Sequence, residues 1–114
     1  MKNNFEYLLI YILLSLSIIS VVKANEQFIF DVTEIEILNN GDQINGYKGG
    51  VVTTEDGNKI IANTFFYDKI TNILEAIGNV KFIDEVENLI ITTDKAIYLK
   101  NSEKIITSGN SKAV

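Results

Sequence analysis

An all-β fold, two facing sheets built from repeated hairpins, is what this sequence predicts, and three observations predict it. Short apolar runs alternate with polar turns at even spacing through residues 28–114. A hinge built on glycine returns at Gly49, Gly78 and Gly109, 29 and 31 residues apart. No helix-period run stands out beyond the N-terminal leader. A period near thirty residues marks stacked supersecondary units that bury a core only together. Repeated hairpins with one apolar face suggest a sandwich or a jellyroll.

The same order of events follows each of the first two hinges. A short apolar run leads to a polar turn (55–58, then 84–88). An Ile-rich run follows (59–62, then 89–92), and then a tyrosine-bearing strand (65–67, then 96–98).

Residues 28–38 read as a long strand, and the alternation Glu34-Ile35-Glu36-Ile37 puts both isoleucines on one face. Asn39-Asn40-Gly41-Asp42 is a turn cluster, and residues 43–47 resume as a strand punctuated by Gly49-Gly50. Residues 51–54 and 59–67 are joined by Glu55-Asp56-Gly57-Asn58, in which Asp-Gly is a hairpin signal. After the turn at 68–72, the strand 73–77 points Leu74 and Ala76 inward with Glu75 toward water. Val80 and Phe82 continue inward, with Lys81 outward. Residues 89–93, 96–99 and 104–108 repeat the pattern. Residues 84–91 carry Val86, Leu89 and Ile90 at spacing that also permits a short helix, but β-branched enrichment and flanking turns favour strand. A slip of one residue in any strand would exchange its inward and outward sets.

The N-terminus reads as an address. One lysine in a short polar start precedes an apolar run at 8–22, and Val22-Lys23-Ala24 closes it before the chain turns polar at Asn25. That is the layout of a secretory signal peptide over residues 1–24, shorter in its apolar part than the about 20 residues a membrane span needs. The domain is then 25–114, with 8 lysines against 14 acids. An acidic exported domain, bound for the periplasm or the periplasmic side of an outer membrane, is the expectation.

Composition excludes several chemistries. The chain has no cysteine and no histidine, which removes disulfides, thiolate nucleophiles, imidazole bases and the usual zinc or copper ligands. A net charge of −5 argues against nucleic acid, whose backbone requires concentrated positive charge. The carboxylate pairs Glu55-Asp56 and Asp84-Glu85 fall in predicted turns, where acidic side chains are simply solvated. Asp56-Gly57-Asn58 lacks the residue order of a calcium loop. Ser102, Ser108 and Ser111 have no base to activate them. A non-catalytic protein without cofactor or metal is the expectation. Phe65, Tyr67, Phe82 and Tyr98 recur at matching places, either as ordinary core or as the wall of an apolar groove between sheets that do not fully close.

Ile61-Ala62-Asn63, Tyr67-Asp68 and then Leu74-Glu75-Ala76-Ile77-Gly78-Asn79-Val80 resemble the OstA-like repeat of the lipopolysaccharide transport proteins, with Asn63 where that repeat usually has Asp. A looser second copy keeps Thr93-Asp94, Tyr98 and Gly109-Asn110, and the likeness spans about residues 28–114. The resemblance implies a twisted β-jellyroll, open along one side, whose apolar groove shields the acyl chains of lipid A. Each buried methylene contributes roughly 0.8 kcal/mol, so an apolar slide needs no tight polar site. The residues then expected to face the groove are Ile35, Ile37, Val51, Phe65, Leu74, Ala76, Val80, Phe82, Ala96 and Tyr98.

The resemblance also implies edge strands that join neighbouring jellyrolls of a transport bridge. A third repeat opens at Gly109 and stops at Val114. This looks most like the N-terminal domain of the outer-membrane assembly member of the family, cut before its C-terminal barrel. A stand-alone periplasmic bridge protein and a purely structural exported scaffold with a closed core are the alternatives.

Overall fold

The computed structural model describes residues 28–114, and the expected signal peptide lies outside them. Eight strands form a single antiparallel sheet: β1 (Ile29–Leu38), β2 (Gln43–Thr53), β3 (Lys59–Ala62), β4 (Thr64–Asp68), β5 (Ile73–Asp84), β6 (Leu89–Leu99), β7 (Lys104–Ser108) and β8 (Lys112–Ala113). Two single-turn 3₁₀ segments, Asn39–Gly41 and Lys100–Ser102, join strands, and no α-helix occurs among the described residues. Residues 85–88 form the β5–β6 turn, where Asp84 Oδ1 accepts the Glu87 N–H at 3.0 Å, so the helical option there is not taken.

Every long strand serves two halves of the sheet. The first part of β2 pairs with β4 and its last part with β3, and β5 divides between the same two strands. β6 likewise pairs with β7 and then with β8. The corner between the halves runs through Thr33, Lys48-Gly49, Asn63, Gly78-Asn79, Asp94 and Gly109-Asn110. At the corner β2, β5 and the β7–β8 line each place two left-handed residues, with φ between +48° and +86°. Pairing slips there, between Val32 and Glu34 on β1 and between Ile77 and Val80 on β5. Two residues against one make a β-bulge, which bends the strand.

Asn63 accepts the Gly49 N–H at 2.8 Å and donates to the Gly78 carbonyl at 3.0 Å, and Asp94 donates to the Gly109 carbonyl at 2.8 Å. The thirty-residue period is the period of this corner. Departures from expectation follow from it. β2 and β5 run unbroken through their glycines, and β6 runs unbroken through Asp94 where strands 89–93 and 96–99 were expected, whereas the expected strand 59–67 is interrupted at Asn63.

The halves act as two arms that share one core. The first arm holds residues 34–38, 43–47, 73–77 and 95–99 with β4 and β7; the second holds 29–32, 50–53, 80–84 and 89–93 with β3 and β8. One buried cluster takes Phe65, Tyr67, Leu74, Ala76, Ala96 and Tyr98 from the first arm and Val52, Ile60, Ala62, Val80 and Phe82 from the second. Phe28, at the entrance to β1, meets Tyr67 edge-on at 4.8 Å and Tyr98 at 5.8 Å, so aromatic rings cross from arm to arm.

Register corrects one expected position. In β2 the corner pair is Lys48-Gly49 and not Gly49-Gly50, so Val52 occupies the place that Phe82 holds after Gly78-Asn79. Val52 is 0% exposed and pairs with Phe30 and Ile60, while Val51 falls on the opposite face, half-buried beside Asp31 and Ile61. A slip of one residue at the hinge moved the valine across the sheet.

Candidate functional site: the space between the arms

Seven of the ten residues expected to line a groove are brought together: Phe65, Leu74, Ala76, Val80, Phe82, Ala96 and Tyr98 all lie in the shared core. Val51 is outside it. Ile35 and Ile37 share the inner face, opposite Gly46 and Ile44, yet they are 54% and 61% exposed. They belong to β1, which pairs only with β2 among the described residues. The inner apolar face is therefore uncovered on the β1 side of the first arm.

Four core residues escaped the sequence-based groove set: Val52, Ile60, Ala62 and Tyr67. Ile60 and Ile61 adjoin in an unbroken apolar run, where alternation carries no signal about facing. Tyr67 could have been placed by its pairing with the inward Leu74, because directly opposed residues share a face.

Between the tips of the two arms lies a cleft of about 500 Å³. Its apolar wall is Phe82 and Leu89 from the second arm with Tyr98 and Ile105 from the first, and Val86 stands at its lip. Its polar lining is Asp56 and Asn58 from the β2–β3 turn, Asp84 and Glu87 from the β5–β6 turn, and Glu103 from the turn into β7; no lysine contributes to it. Phe28, whose ring meets Tyr98 at 5.8 Å, carries the Lys100 ammonium 5.2 Å from its centre.

Polar groups around the interior are satisfied. The Tyr67 hydroxyl donates to Asn72 Oδ1 at 3.1 Å, and burial, reinforced by the Asp68 charge, holds its pKa above the ordinary 10.0. Thr93 Oγ1, buried at the corner, lies 3.1 Å from the Gly109 carbonyl and 2.9 Å from Ser111 Oγ. Among the described residues no acidic cluster is arranged to hold a metal ion. The outer surface carries exposed ion pairs, Lys48–Glu34 at 2.6 Å and Lys95–Glu75 at 2.9 Å, which contribute little to stability. The carboxylate of Glu85 is 4.0 Å from Lys59, at the turn and away from the apolar wall.

Two sheet edges are unpaired among the described residues, the outer side of β1 and that of β7 with β8. Exposed edges of this length are templates for a further strand.

No family model matches the chain, and no curated protein matches it.

Proposed function

We propose that this chain is an OstA-like module that carries lipopolysaccharide: an exported, non-catalytic, open β-jellyroll whose apolar interior shields lipid A acyl chains on the periplasmic side of the cell envelope. The observation that carries the reading is the coincidence of motif and corner. The residues that resemble the family repeat, Ala62-Asn63, Gly78-Asn79-Val80, Asp94 and Gly109-Asn110, are the ones at which the sheet bends. A bent sheet has an inside and open sides, and here the inside is apolar. Ile35 and Ile37 leave that interior uncovered on the β1 side, and Phe82 and Tyr98 join the core to the cleft between the arm tips.

Neighbouring jellyrolls would dock edge to edge along β1 or β7, as a form of strand addition, with a barrel in the outer membrane as the terminus of the bridge. The acidic surface keeps the anionic sugar and phosphate groups of the lipid in water. A stand-alone bridge protein would use the same interior in the same way.

A second reading, a structural scaffold with a closed core, is favoured by one observation. Phe65, Leu74 and Val80 are sealed from solvent, as in ordinary packing. Photocrosslinking in cells separates the two. With the probe at Phe82, crosslinks to lipopolysaccharide are expected, and none from Lys81 on the opposite face. Silence from both positions in a folded, exported protein would sink the carrier and leave the scaffold.

A further inference from the structure

The cleft between the arm tips has two kinds of wall, and their combination specifies a ligand. Phe82 and Tyr98, core residues 5% and 7% exposed, form the floor of the cleft, with Ile105 packed against the core and Leu89 completing the apolar wall, in a volume of about 500 Å³, within the range of small-molecule sites. The rim is of one sign. Asp56, Asp84, Glu87 and Glu103 arrive from three separate turns, and no basic residue stands among them. Of the lysines adjoining lining residues in the chain, Lys59 lies 4.0 Å from Glu85, and Lys104 alternates with Ile105 along β7 and so points to the opposite face. An apolar chain with an anionic head would bring like charges together at this mouth, and a cationic head would be drawn to it.

We propose that this cleft binds a cationic amphiphile, an alkyl chain ending in an ammonium group. The chain lies against Phe82 and Tyr98, and the head sits among the four rim carboxylates. The inference goes beyond the carrier reading, because it assigns the mouth between the arm tips to a ligand of the opposite charge from lipopolysaccharide. It also implies that an anionic lipid reaches the interior from the β1 side, past Ile35 and Ile37.

The test titrates the whole domain with dodecyltrimethylammonium and, as its matched control, dodecyl sulfate, both below the concentration at which micelles form. Amide shifts in nuclear magnetic resonance spectra report where each binds. The cation is expected to saturate one site, to move the amides of Phe82, Leu89 and Tyr98, and to bind at least about tenfold more tightly than the anion. Raising salt to roughly 0.5 M should narrow that preference severalfold. Combined Asp56→Asn, Glu87→Gln and Glu103→Gln, three exposed positions, should bring the two detergents close to parity. Asp84 is left intact because it holds the β5–β6 turn.

Equal affinities in the unaltered protein, shifts confined to other surfaces, or a preference that survives neutralisation of the rim would each overturn the proposal. Should the triple variant fold poorly, Glu103→Gln alone must reduce the preference, and an unchanged ratio there overturns it equally. Loss of the detergent preference with lipopolysaccharide crosslinking at Phe82 intact would remove this proposal and leave the carrier. The reverse pair of results would remove the carrier and leave the cationic site.

Discussion

Asn63 and Gly78 meet across the corner so closely that a Cβ on the glycine would stand 2.7 Å from Asn63 Nδ2, while the Asn63 N–H donates to the Gly78 carbonyl at 3.0 Å. The asparagine therefore requires the glycine. Gly109 stands in the same relation to Asp94, whose Oδ2 would lie 2.7 Å from its Cβ and which accepts from Asn110 Nδ2 at 2.8 Å.

Gly78→Ala meets both that clash and a backbone φ of +86°. The left-handed conformation alone costs about 1–3 kcal/mol in a residue with a side chain, and the contact adds to it. Gly57→Ala is the control, since φ is +88° there but nothing lies within 4 Å of the added carbon. Urea denaturation should rank Gly78→Ala clearly below Gly57→Ala. Equal losses would mean that Asn63 moves aside without cost.

Val52 and Val51 test the register. Replacing Val52 by Thr buries a hydroxyl in the core without a partner, at a cost of roughly 1–3 kcal/mol, whereas Val51→Thr on the outer face should stay within about 0.5 kcal/mol. The two denaturation midpoints decide it, and a larger loss at Val51 would reverse the faces of β2.

Phe65, wholly buried where the first arm nears the corner, is the position of greatest expected loss. Phe65→Ala should cost about 3–5 kcal/mol, a large share of the stability of a domain this size. Ile106→Ala, on the solvent side of β7, should change the midpoint by no more than about 0.5 kcal/mol.

Tyr67 sets an alkaline limit. Its pKa is higher in the folded protein than the ordinary 10.0, chiefly by burial and then by the Asp68 charge, so the neutral phenol favours the fold. That contribution is complete below the unfolded value and is lost as pH rises through the folded one. Stability measured at about pH 8 and about pH 11 should therefore fall with pH, and Tyr67→Phe should flatten the fall. An equally steep decline in the variant would assign it to other groups.

Much of the architecture was legible in the sequence because the corner writes itself into composition. Glycine or asparagine at φ near +50° to +90° leaves a mark that recurs, and the recurrence located the repeat. The inward set on β5 was legible because Leu74-Glu75-Ala76 and Val80-Lys81-Phe82 alternate cleanly. Val51-Val52 and Ile60-Ile61 do not alternate, and there the facing depends on which residues take the left-handed φ. Lys48, a lysine at φ +63°, gave no hint that it did. Ile35 and Ile37 were placed on the correct face, but exposure depends on what stands opposite, which periodicity within one strand does not record. The cleft between the arm tips was illegible for the same reason, since its walls come from turns far apart in the chain.

The bending of each strand at the corner has a consequence for how the domain comes apart. β2, β5 and β6 each thread both arms, so neither arm is a contiguous stretch of chain. An arm cannot open by itself without tearing the strands it lends to the other. Loss of structure should therefore be all-or-none, with amides of Ile60 and Leu74, on opposite arms, exchanging their hydrogens through the same global event.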